Sequence, residues 1–428
     1  LSTYVNIQKH FSQTLLNWIT SYSRAKDKQV LDADFTYHDV FQNEKESKQD
    51  LITQEINYQS SQGEKIDWTL GTFGFYKDLT NDYLATFGTE RHLLLPLDLD
   101  QASYYNNTST WGIAGYGQVT VKNLLPGMFV TAGIRYDYEK ASLSYRDSLL
   151  FHDADQFTGY HDWDENHSYA AWLPKFSILQ KWNEQLSTYL NISKGYKAGG
   201  YNIISNEMTT QIVELEYGKE SLWNYELGAK YFSANGRFNL NGALFYIDWK
   251  DQQIFVMEMM GPIIKNAGDA RSIGAEIDLS WECLPRLVYF LSSGYSNSEY
   301  YHHLTKEYEG NKIVMAPEFT MNTGVSYSKT IKSLLFKSFT ATTSVTGFGT
   351  QYFDEANTMK QDPYFLWNMD LGISGKHIDF HVWGKNILDK SFFCYMFNSP
   401  VGKNLPEYMQ SGQSGAPSRF GASITIKL

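Results

Sequence analysis

Apolar and polar residues alternate one by one along most of the chain. The pattern is clearest in "VTAGIRYDYE" (130–139), "NYELGAKYF" (224–232), "RFNLNGALFYIDW" (237–249) and "GAEIDLSW" (274–281). In the third segment, Phe238, Leu240 and Leu244 fall on one face, and Asn239 and Asn241 fall on the other. Because successive side chains of a β-strand point to opposite sides, each segment predicts a strand with one apolar and one polar face.

The alternating segments predict about 17 strands. Their centres lie near residues 6, 20, 54, 72, 116, 135, 172, 190, 228, 243, 275, 292, 325, 345, 369, 384 and 423. Short connections fall near Ser12, Gly63, Pro126, Glu184, Asn235, Pro285, Ser333 and Gly375. Longer connections cover roughly 36–46, 81–108, 149–165, 203–220, 256–265, 303–318, 354–363 and 394–416. Short and long connections alternate throughout, as expected for an antiparallel up-and-down sheet.

This regular alternation favours an all-β transmembrane barrel. In such a barrel the tight turns lie on one side of the membrane, the apolar faces meet lipid, and the polar faces line the lumen. A soluble propeller or large sandwich is the alternative, because its strands also alternate. A propeller repeats similar motifs every four strands, and the sequence has no such period. We therefore interpret the chain as a membrane barrel.

The composition agrees with this interpretation. Aromatic residues make up 16% of the 428 residues, with 31 Tyr, 26 Phe and 11 Trp, and such residues form the interfacial girdles of membrane barrels. The formal net charge of -11 argues against a nucleic-acid partner. The sequence has no run long enough for a transmembrane helix. Two cysteines, Cys283 and Cys394, exclude a disulfide scaffold and a four-cysteine zinc site.

Three stretches contain residue types that can carry chemistry. Residues 152–167 gather His, Asp and Glu, but without a fixed ligand spacing, so a solvated external loop is favoured over a metal site. The "YHH" at 301–303 is only weak evidence for haem binding, although His is a common axial ligand of haem iron. Asp137 and Glu139 share one strand face, where a wet lumen explains them more simply than a glycosidase does. The sequence lacks a G-x-S-x-G motif, and it predicts no enzyme, no metal and no cofactor.

The glycine-rich "KGYKAGGYN" (194–202) raises the question of a phosphate-binding loop. Such a loop follows a strand and opens a helix, so that backbone N–H groups of the helix meet the anion. A strand precedes this stretch, but neither a GK[ST] motif nor a helical apolar stripe follows it. The phosphate interpretation is therefore weak.

Several strand ends carry motifs of a known family. They are, in order, "LLNWITSYSR" (15–24), "DAD" (32–34), "WGIAGYGQVT" (111–120), "AGIRYDYE" (132–139), "WLPKFSILQKWN" (172–183), "NISKGYKAGGYN" (191–202), "ESLWNYELGAKYF" (220–232), "FYIDWKDQQIF" (245–255), "NAGDARSIGAEIDLSW" (266–281), "VMAPEFTMNTGVSYS" (314–328), "VWGKNILDKSFF" (382–393) and "PSRFGASITIKL" (417–428). With this order and spacing the chain resembles the barrel of TonB-dependent outer-membrane receptors, in the branch that takes up ferric siderophores.

The resemblance implies a fold and a boundary. Receptors of this family place an N-terminal plug inside a barrel of 22 strands. Residues 1–428 are expected to form a partial barrel domain, because neither plug, signal peptide nor TonB box precedes Leu1, and 22 − 17 leaves about five strands unaccounted for. "KGYKAGGYN" is expected to close a strand and enter an external loop. Family barrels commonly end in an aromatic residue, whereas this chain ends in Leu428.

The resemblance also implies a function in the bacterial outer membrane. The expected role is TonB-dependent uptake of a ferric siderophore or similar iron complex, with membrane lipid and an inner-membrane TonB complex as further partners, the latter acting through a plug. The alternatives are a passive diffusion pore, a receptor for haem, cobalamin or a glycan, and a soluble β enzyme. The isolated chain is not expected to act as a receptor, because the strands near residues 6 and 423 would keep open edges.

Five aromatic residues are predicted to contact the ligand: Tyr104, Tyr105, Tyr201, Trp249 and Tyr352. The first three are expected in long loops or at their roots, and the last two on the inward face near the outer ends of strands. Flat groups of siderophores stack on such rings. The two cysteines are expected to be unbonded, because the membrane thickness of about 25 Å separates the two ends of the barrel.

Overall fold

The computed structural model describes residues 1–427 except 62, 64, 95–97, 203–215, 259–260, 332, 334, 400, 402–403 and 406–408. The predicted contribution of Leu428 to the final alternation lies outside the described residues. Within these residues no helix is long and apolar enough to cross a membrane.

Seventeen strands form one large antiparallel sheet. They are β1 (Ser2–His10), β2 (Thr14–Asp32), β3 (Phe41–Ser60), β4 (Ile66–Phe87), β5 (Leu99–Lys122), β6 (Met128–Phe151), β7 (Thr158–Lys181), β8 (Leu186–Lys197), β11 (Glu220–Phe232), β12 (Phe238–Lys250), β15 (Gly268–Leu284), β16 (Leu287–His303), β17 (Phe319–Thr330), β18 (Phe336–Phe348), β21 (Tyr364–Gly375), β22 (Ile378–Lys385) and β25 (Arg419–Ile426). Each pairs with the next strand of this series, so the sheet follows an up-and-down order. All 17 predicted centres fall within these strands, which confirms the predicted fold class.

Eight short strands form four separate hairpins at the end of the sheet that carries the long connections. They are β9 (Gly200–Tyr201) with β10 (Glu216–Tyr217), β13 (Gln253–Glu258) with β14 (Gly261–Asn266), β19 (Gln351–Tyr352) with β20 (Lys360–Gln361), and β23 (Phe393–Asn398) with β24 (Gln410–Ser414). Two single 3₁₀ turns lie at the same end, at Arg91–Leu93 and Lys306–Tyr308. We call this end the outer end and the opposite one the short-turn end.

Two of the five predicted contacts, Tyr104 and Tyr105, do not lie in a loop. The connection predicted at 81–108 is much shorter, because β4 continues to Phe87 and β5 begins at Leu99. The same extension shortens the connections predicted at 36–46 and 149–165. In these outer parts the pattern is reversed: the inward face carries buried apolar residues such as Ala85 and Tyr104, and polar residues such as Asp82 and Thr86 face outward, while the backbone ladder continues. Tyr352 also lies elsewhere than predicted, in the β19–β20 hairpin rather than at the end of a sheet strand.

The two faces of the sheet differ as the alternation predicts. Large apolar side chains on one face are strongly exposed, among them Ile113 at 57%, Trp172 at 60% and Leu244 at 61%. The intervening positions of the same strands, such as Ala114 and Asn241, lie on the opposite, more shielded face. A folded chain keeps such a continuous apolar surface only where lipid or another apolar surface covers it. We call the apolar face outward and the other face inward.

The two terminal strands of the sheet are each paired along one edge. β1 pairs with β2 from Ser2 to His10, and β25 pairs with β22 from Arg419 to Ile426. Every residue of β1 is exposed. Within the described chain no ladder joins β1 to β25, so the sheet presents two open backbone edges.

Candidate functional site

A buried apolar cluster fills the inside of the outer end beside β3–β6. We call it the long-strand cluster; its buried members are Ala33, Val40, Phe41, Tyr83, Ala85, Phe87, Leu99, Ala102, Tyr104, Leu143, Tyr145, Leu149 and Val401. Val401 comes from the connection between β23 and β24, more than 300 residues from most of its neighbours in the chain. Asn404 of the same connection donates a hydrogen bond to the Leu93 carbonyl at 2.5 Å. The last long connection therefore crosses the outer end and is anchored on the early strands.

A second apolar cluster lies beneath the β13–β14 hairpin. It consists of Ile254, Ala267, Ala270, Tyr300 and Ile313, and Trp249 and Val256 pack against it. Gln253 in β13 attaches the hairpin to neighbouring elements, because its side-chain amide donates to the carbonyls of Ala198 and Gly218, both at 2.9 Å. This hairpin is thus fixed both by apolar contacts and by hydrogen bonds.

The "KGYKAGGYN" stretch closes β8 and continues into β9, which confirms its predicted place. A Cβ atom on Gly199 would lie 2.7 Å from the Tyr169 ring, and one on Gly200 would lie 2.6 Å from the Tyr217 hydroxyl. Both distances are too short for a real Cβ contact. The glycines therefore serve the close approach of two chain segments.

Asn202, the last residue of this stretch, joins three elements, a role that was not predicted from the sequence. Its side chain makes two hydrogen bonds with Ile264 of β14, donating to the carbonyl at 2.9 Å and accepting from the N–H at 2.7 Å. Its own carbonyl accepts from Asn106 of β5 at 3.3 Å. Asn202 is buried, so these bonds are shielded from water.

Charged and phenolic groups cluster on the inward face between β3 and β8. Arg135 binds Asp137 through two hydrogen bonds of 2.7 Å each. Tyr116 donates to Glu55 at 2.6 Å, and Tyr196 donates to Glu139 at 2.6 Å. Asp137 and Glu139 thus have structural partners, as the lumen interpretation predicts. The arrangement gives the inward face a polar, hydrogen-bonded surface.

Two acidic residues link the β2–β3 and β4–β5 connections. Asp39 accepts hydrogen bonds from the backbone N–H and the hydroxyl of Thr89, each at 2.9 Å, and these bonds lower the pKa of the Asp39 carboxyl. Glu90 accepts from the backbone N–H of Asp39 and lies 3.0 Å from the His38 ring nitrogen, and these contacts lower its pKa. The two carboxylates, in their ionised form, therefore hold the β2–β3 and β4–β5 connections together.

The structure brings three of the five predicted contact residues to the two clusters. Tyr104 is buried within the long-strand cluster, and Tyr201 packs against the same cluster. Burial raises the pKa of Tyr201 to about 12. Trp249 packs on the second cluster, and its indole N–H is buried without a hydrogen-bond partner in the described chain. Tyr105 faces outward, next to Tyr104 on β5, so these two neighbours cannot reach one common ligand.

The outer end also holds a pocket that the sequence did not reveal. It lies between the β13–β14, β19–β20 and β23–β24 hairpins and has a cavity volume of about 110 Å³. Its lining consists of Phe255, Val256, Val314, Phe353, Asp354, Glu355, Met359, Tyr395, Phe397 and Asn398. We call it the three-hairpin pocket. Its residues lie far apart in sequence, in loops without periodicity, so only the fold brings them together.

The cysteines are both free, as predicted. Cys283 lies at the short-turn end of β15, and Cys394 is exposed in β23 at the outer end. In the part of the chain that the structure describes, no group of three or more His, Cys, Asp and Glu side chains is arranged to hold a metal ion.

Comparison with known proteins gives the same architecture. A family model described as TonB dependent receptor-like, beta-barrel, matches residues 2–387. The pesticin receptor of Yersinia pestis is 23% identical over 327 residues, which are 76% of this chain and 45% of that protein. The chain thus spans about half the length of the curated relatives that it matches.

Two solved structures share the fold. The ferric yersiniabactin uptake receptor FyuA from Yersinia pestis has a TM-score of 0.81 and 19% identity, over 99% of this chain and 60% of that one. The siderophore receptor PiuA from Acinetobacter baumannii has a TM-score of 0.73 and 12% identity, over 99% and 63%. Proteins with this barrel are receptors and transporters rather than enzymes. The chain belongs to the TonB-dependent receptors of the bacterial outer membrane, and its 17 strands are part of their β-barrel.

Proposed function

We propose that the chain forms the barrel wall and outer loops of a receptor that takes up a ferric siderophore or a similar iron complex. The observation that carries the proposal is the arrangement of the outer end, where aromatic clusters and hairpins stand above a polar inward face. Ligand sites of this kind combine apolar walls with a few polar groups. The similar receptors for ferric yersiniabactin and other siderophores give the class of cargo.

The energy for uptake is proposed to come from an inner-membrane TonB complex acting through a plug domain. The polar inward face offers a surface for such a plug, with Glu55, Asp137 and Glu139 already held by hydrogen bonds. The outward face is covered by membrane lipid.

Tyr104, Tyr105, Tyr201, Trp249 and Tyr352 remain the proposed ligand contacts, and the structure supports them unequally. Trp249 has the strongest support, because a buried indole N–H without a partner costs about 1–3 kcal/mol unless a ligand or water accepts from it. Tyr201 and Tyr352 lie in hairpins of the outer end. Tyr104 is engaged in packing and Tyr105 faces outward, so both are the first candidates to be dropped.

Uptake of radioactive iron tests the proposal. The gene that carries the chain is deleted in its host, and uptake of ferric yersiniabactin and of ferric citrate is measured before and after complementation. We expect uptake of at least one complex to depend on the gene and to stop when the proton-motive force is dissipated. Uptake that continues without the proton-motive force would identify a diffusion pore instead. Trp249→Phe removes the N–H and should reduce this uptake; Trp172→Phe, at an outward-facing indole that is 60% exposed, is its matched control and should leave uptake unchanged.

A further inference from the structure

The base of the β13–β14 hairpin contains buried polar atoms that have no hydrogen-bond partner in the described chain. Three of them are the indole N–H of Trp249, the hydroxyl of Tyr300 and the side-chain carbonyl of Gln252. Tyr300 is fully buried, and Gln252 is only 5% exposed. Buried polar groups of folded proteins nearly always have a partner, because an unpaired one costs free energy. Three unpaired groups indicate an occupant if they border the same space.

The register of the sheet places the two donors on the same side. Trp249 of β12 and Tyr300 of β16 both pair with Ala270 of β15, one from each side. Paired residues of neighbouring strands project from the same face, so only the Ala270 methyl group separates the two rings in this row. Their Cα atoms are two strand spacings apart, about 10 Å. Tyr300 belongs to the second cluster and Trp249 packs against it, so both donors border that cluster.

Gln252 brings an acceptor to the same cluster. Ile254 and Val256 follow it at alternate positions, and both contact the cluster, so the period of two places Gln252 on this side as well. The backbone N–H of Gln252 donates to the Gly268 carbonyl, and its carbonyl accepts from the Ala267 N–H, each at 2.8 Å. These bonds fix Gln252 beside Ala267, which is another member of the cluster.

Together the three groups offer two hydrogens and one acceptor. Burial is the main cause that raises the pKa of Tyr300, so its hydroxyl keeps the hydrogen at neutral pH. The Glu355 charge also raises this pKa, and it disfavours a carboxylate as occupant. The backbone N–H of Val314 faces the Tyr300 oxygen and lowers the pKa, but it cannot take the hydroxyl hydrogen. A hydroxyl oxygen accepts two hydrogen bonds and donates one, and buried waters typically make about three.

We propose that Trp249, Tyr300 and Gln252 bind one O–H group. Its oxygen accepts from the indole and from the Tyr300 hydroxyl, and its hydrogen goes to the Gln252 carbonyl. The bound group thereby joins β12 and β16 to the β13–β14 hairpin. Two sources supply this chemistry: a water molecule, or a hydroxyl of the transported complex that replaces it. Only the second source rests on the proposed function, so the bridge stands if iron uptake is disproved.

The indole signal of Trp249 in NMR spectra tests the bridge. The protein is purified from outer membranes in detergent micelles with isotope-labelled tryptophan, and Trp249→Phe identifies the signal. Tyr300→Phe and Gln252→Met each remove one bond to the shared oxygen. Each should therefore shift the signal and accelerate exchange of the indole hydrogen about two- to tenfold. Tyr295→Phe, at an outward ring of the same strand that is 56% exposed, is the control and should change nothing.

Two results of these substitutions would overturn the proposal. One is an indole signal that neither Tyr300→Phe nor Gln252→Met moves. The other is slower exchange after Tyr300→Phe, because the loss of an unpaired buried hydroxyl stabilises a fold, whereas the loss of a bonded one destabilises it.

A cross-peak between the Trp249 indole hydrogen and water distinguishes the two sources. The spectrum is recorded with and without gallium citrate, the diamagnetic counterpart of ferric citrate. A cross-peak that persists in both samples identifies a resident water. A cross-peak that gallium citrate removes, while the indole hydrogen stays protected, identifies a ligand hydroxyl in its place. No cross-peak in either sample would mean that the indole bonds Gln252 directly and leaves Tyr300 alone, which would contradict the bridge.

Discussion

The outer end is built in two different ways on its two sides. On the early side, β3 to β7 are 20 to 24 residues long and simply continue outward as one hydrogen-bonded ladder. On the late side, β17, β18, β21 and β22 have 12, 13, 12 and 8 residues, and separate hairpins stand above them. The ladder carries the larger buried cluster, whereas the hairpins enclose the three-hairpin pocket.

This difference has a consequence for motion. Strands within a continuous ladder lose many backbone hydrogen bonds when they open, while a short hairpin loses few. The early side is therefore expected to act as a fixed wall, and the late side is expected to hold the parts that rearrange around a ligand. The contacts at Tyr145, Asn202, Gly199 and Glu90 allow this contrast to be tested.

The largest effect is expected from Tyr145→Ala. This side chain is fully buried in the long-strand cluster and stacks on Trp163. Removing a buried aromatic ring costs about 3–5 kcal/mol, so hydrogen exchange in the outer parts of β5 and β6 should accelerate strongly. Tyr37→Ala, at a residue that is 81% exposed, is the control. Unchanged exchange in Tyr145→Ala would show that backbone hydrogen bonds between the strands stabilise this side without the buried cluster.

A smaller, local effect is expected from Asn202→Ala. The substitution removes both hydrogen bonds to the partly buried backbone N–H and C=O of Ile264, at a cost of about 1–3 kcal/mol. Exchange should accelerate in β14 and remain normal in β5. Asn183→Ala is the matched control, because Asn183 accepts two backbone hydrogen bonds at the short-turn end. Faster exchange of β14 in the control as well would mean that the hairpin is not held by Asn202.

Two glycine substitutions compare the outer end with the barrel wall, and the one at the outer end is expected to cost about as much stability as Asn202→Ala. A Cβ on Gly199 would meet the Tyr217 carbonyl and the Tyr169 ring, so Gly199→Ala should destabilise the β9–β10 pairing by about 1–3 kcal/mol. Gly115→Ala meets nothing within 4 Å and should leave the barrel wall intact. The intensity of backbone NMR signals near Gly200 and Tyr217 reports the pairing. A stronger effect at Gly115 would contradict the assigned roles.

The sequence predicts the membrane-spanning parts of the strands well and the outer end poorly. Alternation at Leu240, Asn241 and Leu244 identifies a strand, because lipid requires apolar side chains on one face and the wet lumen favours polar side chains on the other. Around Tyr105 the inward face carries the buried long-strand cluster and the outward face is no longer uniformly apolar, so the pattern set by lipid and lumen ends, and the sequence predicted a loop there. The three-hairpin pocket could not be predicted at all, because Phe353 and Tyr395 meet only through the arrangement of three non-adjacent hairpins.

The smallest effect is expected from acidification. The pKa values of Asp39 and Glu90 are lowered in the folded chain, so their contribution to stability is complete above their usual pKa values of about 3.9 and 4.3. It is lost as the pH falls through the lower folded values. Both groups are exposed, so only the local connections should loosen, which limited pepsin digestion below about pH 4 can detect. Glu90→Gln should already be loosened at pH 7, where proteinase K replaces pepsin, and equal digestion of the variant and the unmodified chain at that pH would contradict the assignment.

The native cysteines offer the most direct test of the central claim, that the short turns and the long connections lie on opposite sides of the outer membrane. Intact cells that express the gene are treated with a maleimide coupled to a polymer too large for porins. We predict that exposed Cys394 is labelled in intact cells, and that Cys283 is labelled only after the outer membrane is permeabilised. A Cys394→Ser variant should remove the first signal alone. Labelling of Cys283 in intact cells, with Cys394 protected, would contradict the topology.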